Sequence, residues 1–141
     1  MSRSTGVILA VDPGRDKCGL AVVDLHGRAL MQEVIPAAAL AARAQELARD
    51  HDFSVIVVGD RTGADDALDA LESALPDVET AAVDEHRSTE EARRLYFREH
   101  PPRGWRRLIP VSLQTPPRAC DDYVAVILAR RYLRSGPEPA F

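Results

Sequence analysis

Acidic residues occur at three places in the sequence where a predicted strand ends or a predicted helix begins. Asp12 closes an aliphatic strand, and Glu85 follows a short apolar strand near the middle of the chain. Asp121 and Asp122 open the last predicted helix. Because functional groups collect beyond the carboxyl ends of parallel strands, Asp12 and Glu85 are expected to face one crevice.

The expected chemistry of such a crevice is divalent-metal chemistry. Carboxylates that are brought together raise one another's pKa values unless cations neutralise them. Hard oxygen ligands of this kind suit Mg²⁺ or Mn²⁺, which keep several waters and bind substrate phosphates. Two such ions, about 3.5–4 Å apart, would activate a water and stabilise the leaving oxygen in an in-line phosphodiester displacement. The sequence therefore predicts a metal-dependent phosphodiesterase site.

The two acidic residues at the start of the last helix are not equivalent in the sequence pattern. The helix is expected to pack on the sheet through one stripe, formed by Val124, Ala125, Leu128 and Tyr132. Asp121 continues this stripe, whereas Asp122 lies about 100° round the helix, toward solvent. Asp121 is therefore predicted as the third catalytic and metal-binding carboxylate, with Asp122 as the reserve.

Each carboxylate also has a simpler explanation. Asp12 stands before Pro13-Gly14 and is compatible with an ordinary turn residue. Glu85 precedes a helix, and the Asp121-Asp122 pair opens one, so the helix dipole alone would favour an acidic residue at either place. The occurrence of all three at one predicted rim favours a shared site.

The element order places these residues in an α/β domain. Apolar runs and turn signals predict strands over residues 6–12, 18–24, 29–35, 53–59 and 78–83. Helical spacing predicts helices from about residue 40, over 65–75, from 88 to about 100, and from about 119 to 133. The order βββαβαβαα predicts a five-stranded mixed sheet, with a three-stranded antiparallel meander and two parallel strands, flanked by helices.

Length and composition limit the chain to one ordinary globular domain. It has 141 residues, of which 45% are hydrophobic and 28% charged, and we assign residues 1–134 to the domain and 135–141 to a C-terminal tail. No apolar run approaches the roughly 20 residues of a membrane span, and the first six residues do not resemble a signal peptide. Cys18 and Cys120 are predicted to be reduced thiols. A cytoplasmic protein without membrane contact is expected.

Basic residues are concentrated in one part of an acidic chain. The net charge is −4, yet residues 86–118 contain eight arginines and three glutamates, a local charge of +5. Such a cluster is compatible with phosphate binding, because the local field counts more than the total charge. The predicted nucleic-acid-binding residues are Lys17, Arg87, Arg94, Arg98, Arg103, Trp105, Arg106 and Arg107. The alternative is a solvated helix on which Glu90, Glu91 and Glu99 pair with the arginines.

Three segments together resemble one protein family. Residues 12–24, DPGRDKCGLAVVD, resemble the opening motif of the YqgF (RuvX) family, written D-x-G-x-K-R-x-G-x-A-x-S-D. Residues 84–92, DEHRSTEEA, are similar to its D-E-R-x-S-T-x-E-A motif. Residues 121–133, DDYVAVILARRYL, are similar to its closing D-x-x-A-A-x-x-I-L-x-x-Y-L helix. The motifs occur in the family's order and span nearly the whole chain.

The resemblance implies an RNase H-like fold and a relationship to the Holliday junction resolvase RuvC. It implies a nuclease dependent on Mg²⁺ or Mn²⁺, whose acidic triad maps onto Asp12, Glu85 and Asp121. The substrates it implies are branched DNA such as Holliday junctions, or the precursor of 16S ribosomal RNA. Products with 5′-phosphate and 3′-hydroxyl ends are expected. A resolvase needs a two-fold dimer to make two symmetric nicks, so both a monomer and a homodimer are considered.

Two other functions are compatible with parts of the sequence. The Asp-x-Gly-x₄-Gly pattern that begins at Asp12 is similar to the phosphate loop of actin-like sugar kinases, but those enzymes need two such lobes and this chain supplies one. The other alternative is a catalytically silent nucleic-acid-binding or ribosome-assembly module of the same fold. Carboxylates at all three positions argue against that module, because they would repel phosphate.

Overall fold

The computed structural model describes residues 4–60, 63–86, 88–102, 104, 108 and 121–135, with the side chains of all of these except residues 4 and 5. Its strands are β1 Ser4–Asp12, β2 Lys17–Asp24, β3 Ala29–Pro36, β4 His51–Gly59 and β5 Thr80–Val83. Its helices are α1 Leu40–Asp50, α2 Ala64–Ala74, α3 Ser88–Glu99 and α4 Asp121–Ser135, with a short 3₁₀ turn at Ala37–Ala39. The predicted order of elements is confirmed.

The five strands form one mixed sheet in the order β3-β2-β1-β4-β5. β1 and β3 each pair antiparallel with β2, and β4 pairs parallel with both β1 and β5. This confirms the predicted α/β class, with an antiparallel meander on one side and two parallel strands on the other. The carboxyl ends of β1, β4 and β5 consequently lie at the same edge of the sheet.

Helices cover both faces of the sheet. Ile8 and Ala10 of β1 belong to the core beneath α3 and α4, whereas Leu9 and Val11 belong to the core beneath α1 and α2. These four side chains are fully buried, as expected for a central strand covered on two sides. The alternation along β1 places Asp12 on the face that carries α4.

Helix α4 differs from its predicted packing. Every residue from Asp122 to Ala129 is buried, because the helix packs against the sheet and also against α3. A single buried stripe therefore does not describe it. The prediction that Asp122 turns toward solvent is wrong: its exposure is 4%, whereas Asp121 is only partly buried.

Polar contacts join α3 to α4. Tyr123 of α4 donates a hydrogen bond from its hydroxyl to Glu99, at 2.9 Å. Arg131 donates to Glu91 at 2.7 Å and to the backbone carbonyl of Asp84, also at 2.7 Å. Helix α3 begins at Ser88 as predicted, and its Glu91 accepts a hydrogen bond from Arg131.

The structure tests the predictions about the cysteines and the C-terminal tail only in part. Cys18 is a buried free thiol, and Cys120 lies outside the described residues. Residues 136–141 also lie outside them, so the assignment of 135–141 to a tail stays a prediction. Within the described part of the chain, no helix combines the length and the apolar character that a membrane crossing requires.

Candidate active site

Asp12 lies between two glycines at the edge where β1, β4 and β5 end. It is the last residue of β1 and pairs with Gly19 on β2. On the other side, Val11 pairs with Val58, so the next step of the register brings Gly59 beside Asp12. All three face the α4 side of the sheet. The missing side chains of both glycines leave room above the strands on either side of the Asp12 carboxylate.

The first turn of α4 occupies the space above Gly19. A Cβ atom on Gly19 would overlap the backbone carbonyl oxygen of Asp121 and would lie 2.8 Å from the backbone nitrogen of Asp122. Any side chain at this position would push the helix away from β2. Glycine at residue 19 is therefore what allows the start of α4 to lie next to Asp12.

Glu85 occupies the corresponding space above Gly59. A Cβ atom on Gly59 would overlap the Glu85 carboxyl group and would lie 2.7 Å from its Cγ atom. Glu85 is 1% exposed. Since neighbouring strands lie about 4.8 Å apart, this places the Glu85 carboxylate close to Asp12.

The loop that carries Glu85 is held from several directions. The backbone nitrogen of Glu85 donates to the Asp60 carboxylate at 3.2 Å, and its carbonyl accepts from the backbone nitrogen of Ser88 at 2.9 Å. Arg131 holds the preceding carbonyl, that of Asp84. The backbone around Glu85 is thus fixed by Asp60, which follows β4, and by residues of α3 and α4.

Two of the predicted carboxylates, Asp12 and Asp121, affect the pKa of Cys18. Burial raises the pKa of the Cys18 thiol, and the backbone amide of Gly14 opposes this by stabilising the thiolate. The negative charges of Asp12 and Asp121 raise this pKa further, because a thiolate here would be repelled by both. Both carboxylates therefore lie within electrostatic reach of the same thiol.

The Asp122 side chain points toward β3, the edge strand on the other side of the sheet from β5. Its Oδ2 atom accepts a hydrogen bond from Gln32 of β3, at 3.3 Å. Strand β3 lies on the far side of β2 from β1, so this contact directs Asp122 away from Glu85. The structure thus places Asp12, Glu85 and the backbone of Asp121 near one another, whereas the Asp122 carboxylate contacts Gln32 on β3.

The chemistry of the three rim carboxylates fits a hard divalent cation. Their oxygen atoms are the ligand type that Mg²⁺ and Mn²⁺ prefer. Among the residues that the structure describes, however, no group of three or more His, Cys, Asp or Glu side chains is arranged to hold a metal ion. The rim therefore supplies suitable ligands that do not form a ready coordination shell.

The predicted nucleic-acid contacts are described in part. Lys17 is exposed at the start of β2, at the same end of the sheet as Asp12. Arg94 and Arg98 are exposed on α3, and within the described part of the chain neither forms an ion pair with the α3 glutamates. The remaining predicted contacts lie outside the described residues: Arg87, Arg103, Trp105, Arg106 and Arg107.

Sequence reasoning missed two residues that support the rim. Arg131 carries no local signal, since both of its partners lie at least 40 residues away in the chain. Gly59 ends a strand, and its role appears only when Glu85 is placed above it. Asp60 directly follows β4, and its side chain accepts a hydrogen bond from the Glu85 backbone, which places it beside Glu85.

Comparisons with known proteins identify the fold. No protein-family model matches the sequence, and no curated protein matches it significantly. The structure is similar to Thermus thermophilus RuvC in complex with a Holliday junction substrate, with a TM-score of 0.60 and 20% identity. A second structure of T. thermophilus RuvC gives a TM-score of 0.60 and 21% identity. Both alignments cover 92% of this chain and 96% of the other.

A weaker similarity connects the chain to a sugar kinase. A ROK family glucokinase from Streptomyces griseus, in complex with glucose and AMPPNP, aligns with a TM-score of 0.42 and 16% identity. The match covers 62% of this chain and 36% of the kinase, too little to support an argument. The similarity to RuvC extends over almost all of both chains and confirms the predicted RNase H-like fold.

Proposed function

We propose that this protein is a metal-dependent nuclease that hydrolyses phosphodiester bonds in structured nucleic acid. The observation that carries the proposal is the placement of the buried Glu85 carboxylate above Gly59, beside Asp12. The Glu85 side chain is 1% exposed, and its carboxylate oxygens are the ligand type that Mg²⁺ and Mn²⁺ prefer. A binding module would gain nothing from acidic groups at a rim that receives phosphate.

The substrate class follows from two lines of support. The neighbour RuvC is bound to a Holliday junction in one of its structures. The three sequence motifs resemble the YqgF (RuvX) family, whose implied substrates include branched DNA and the precursor of 16S ribosomal RNA. We propose that the chain belongs to this family and acts on one of these two substrates.

The residues of the rim have separate tasks in this proposal. Asp12, Glu85 and Asp121 would hold Mg²⁺ or Mn²⁺, which when bound would activate a water and stabilise the leaving oxygen. The Asp60 carboxylate accepts a hydrogen bond from the backbone amide of Glu85, and Arg131 donates one to the backbone carbonyl of Asp84. These two are positioning residues, because they act through the loop that carries Glu85.

Basic residues on β2 and α3 would contact the substrate backbone. Lys17 lies at the same end of the sheet as Asp12, and Arg94 and Arg98 are exposed on α3, where neither forms an ion pair with another described residue. Phosphate contacts of this kind fix the position of a nucleic acid without reading its sequence. Arg87, Arg103, Trp105, Arg106 and Arg107 remain predictions for the same role.

The test is a cleavage assay in Mn²⁺ and in Mg²⁺, with a four-way DNA junction and a 16S ribosomal RNA precursor as substrates. Asp12→Asn should lower the cleavage rate about 100-fold or more, because a metal ligand supports several kcal/mol of transition-state stabilisation. Asp52→Asn is the matched control. It removes the same charge from an exposed position at the start of β4 and should cleave like the wild type.

Equal cleavage by wild type and Asp12→Asn would refute the assignment of the rim. A wild-type protein that binds either substrate but cleaves neither in both metals would instead support the silent nucleic-acid-binding module. The ends of the products test the direction of hydrolysis. Water attack that breaks the bond between phosphorus and O3′ leaves 5′-phosphate and 3′-hydroxyl ends.

A further inference from the structure

A cleft of about 510 Å³ lies between α3 and α4, and the turn between β2 and β3 also lines it. Its apolar lining includes Leu25 from that turn, Leu95 from α3, and Ile127 and Leu133 from α4. The two helices also supply four arginines: Arg94, Arg98, Arg130 and Arg134. We call this the α3–α4 cleft, and none of the rim carboxylates lines it.

The arginines form two rows that face each other across the α3–α4 cleft. Arg94 and Arg98 are four residues apart on α3, and Arg130 and Arg134 are four residues apart on α4. Residues at this spacing lie on the same face of a helix, about 5–6 Å apart at their Cβ atoms. Each helix therefore presents a short row of positive charge to the same space.

These guanidinium groups retain hydrogen-bonding capacity. Arg130 uses only its Nε atom in the hydrogen bond to the Gly27 carbonyl, at 2.9 Å. Arg134 has an exposed side chain, and its contact with Glu91 is long, at 4.0 Å. In the described part of the chain, Arg94 and Arg98 have no ion pair. All four can still donate to an anion.

The charge of the α3–α4 cleft is strongly positive on a protein that is acidic overall. Among the described lining residues Glu91 is the one carboxylate, and Arg131 already binds it at 2.7 Å. Four arginines against one glutamate leave a net charge of +3, whereas the whole chain carries −4. Arginine matches phosphate in particular, because its planar group donates two parallel hydrogen bonds to two oxygens.

The cleft is directly connected to the loop of the candidate active site. Glu91 lines the cleft and binds Arg131, and the same Arg131 holds the Asp84 carbonyl next to Glu85. One ion pair therefore lies between the cleft and the loop that carries Glu85. The β2–β3 turn that lines the cleft lies at the opposite end of β2 from Gly19, so the cleft extends away from Asp12.

We infer that the α3–α4 cleft binds the backbone phosphates of a nucleic-acid strand at a distance from the bond that is cleaved. The inference rests on the proposed function for the identity of the ligand, but it concerns binding and not cleavage. Two rows of arginine fit a single anionic strand that lies between them. Leu25, which lines the cleft from the β2–β3 turn and is 54% exposed, offers apolar contact to the sugar groups of that strand.

The test is the salt dependence of binding, measured by fluorescence anisotropy in EDTA with a labelled four-way DNA junction and a labelled 16S ribosomal RNA precursor fragment. Arg94→Glu, Arg98→Glu and Arg134→Glu are compared singly. Each should weaken binding about 10-fold and reduce the slope of log K against log salt by about one. Arg49→Glu is the matched control, because Arg49 is exposed on α1 at the opposite face of the sheet.

The outcomes separate this inference from the nuclease proposal. If the three cleft variants bind both probes as Arg49→Glu does, or if the wild type binds neither probe, the inference is overturned. If polyglutamate competes as well as nucleic acid at equal charge, the cleft takes an acidic protein segment and the inference is also overturned. If the cleft variants lose binding and the wild type does not cleave, phosphate binding in the cleft is supported and the nuclease proposal is contradicted.

Discussion

Asp121 and Asp122 are adjacent in the chain but have different surroundings. Asp121 is partly exposed at the start of α4 and lies within electrostatic reach of Cys18, as Asp12 does. Asp122 is buried and accepts a hydrogen bond from Gln32 on β3. The first arrangement suits a metal ligand at the rim, and the second suits a structural contact between α4 and the sheet edge.

At the residue scale we therefore expect the two asparagine variants to differ. Asp121→Asn should lower the cleavage rate about 100-fold, because it removes a proposed metal ligand. Asp122→Asn should retain most of the activity, since asparagine keeps an oxygen that can accept from Gln32. Cleavage rates at saturating Mn²⁺ measure the difference.

Each variant is the other's control, because both lose one charge in the same turn of the same helix. Urea unfolding shows whether either change acts through stability. If Asp122→Asn is the inactive variant while Asp121→Asn cleaves normally, Asp122 is the metal ligand and the role proposed for Asp121 is wrong.

At the scale of elements, two glycines determine how closely helix α4 and the Glu85 side chain approach the sheet beside Asp12. Gly19 allows the backbone of α4 to lie on β2, and Gly59 allows the Glu85 side chain to lie on β4. The first contact joins two secondary-structure elements through their backbones. The second involves one side chain, which can adopt another rotamer if its place is taken.

The two alanine variants should consequently fail in different ways. Gly19→Ala should lower the free energy of unfolding by about 1–3 kcal/mol, because β2 and α4 must separate to admit the new methyl group. Gly59→Ala should destabilise less but should lower cleavage strongly, because Glu85 must leave its position beside Asp12. Urea unfolding and cleavage rates, measured on both variants, check this.

A Gly59→Ala protein with wild-type cleavage would show that Glu85 does not need this position, and it would contradict the proposed triad. A Gly19→Ala protein of wild-type stability would contradict the close contact between α4 and β2. The comparison is informative because both substitutions add the same single methyl group at the same edge of the sheet.

At the scale of the whole molecule, the fold is compatible with either proposed substrate, and the number of protein chains on the substrate distinguishes the two. The similarity to T. thermophilus RuvC extends over 96% of that protein, so no large part of its domain lacks a counterpart here. Symmetric nicks in two strands of a four-way junction require two sites related by a two-fold axis.

We expect two protein chains on each four-way junction if the junction is the substrate. Sedimentation of the protein alone, and with a junction in EDTA, measures this number directly. A protein that stays monomeric and does not bind the junction would favour the 16S ribosomal RNA precursor as the substrate. A perfectly paired DNA duplex of the same length is the control for binding that depends on charge alone.

Sequence alone was sufficient to predict the elements, their order and the edge at which Asp12 and Glu85 meet. Strand and helix periodicity are local properties, and the order of elements restricts the possible sheet topologies. Asp12 ends one strand and Glu85 follows another, so a parallel arrangement of the two strands was enough to bring both residues to the same end of the sheet.

Tertiary structure alone decided the surroundings of Asp122, the contacts of Arg131 and the existence of the α3–α4 cleft. The pattern in α4 indicated one buried stripe, but α3 also covers the helix, and this second neighbour comes from a distant part of the chain. Arg131 meets Asp84 and Glu91 for the same reason. Periodicity shows which residues share a face of one element, and only the packing of all elements determines what each face contacts.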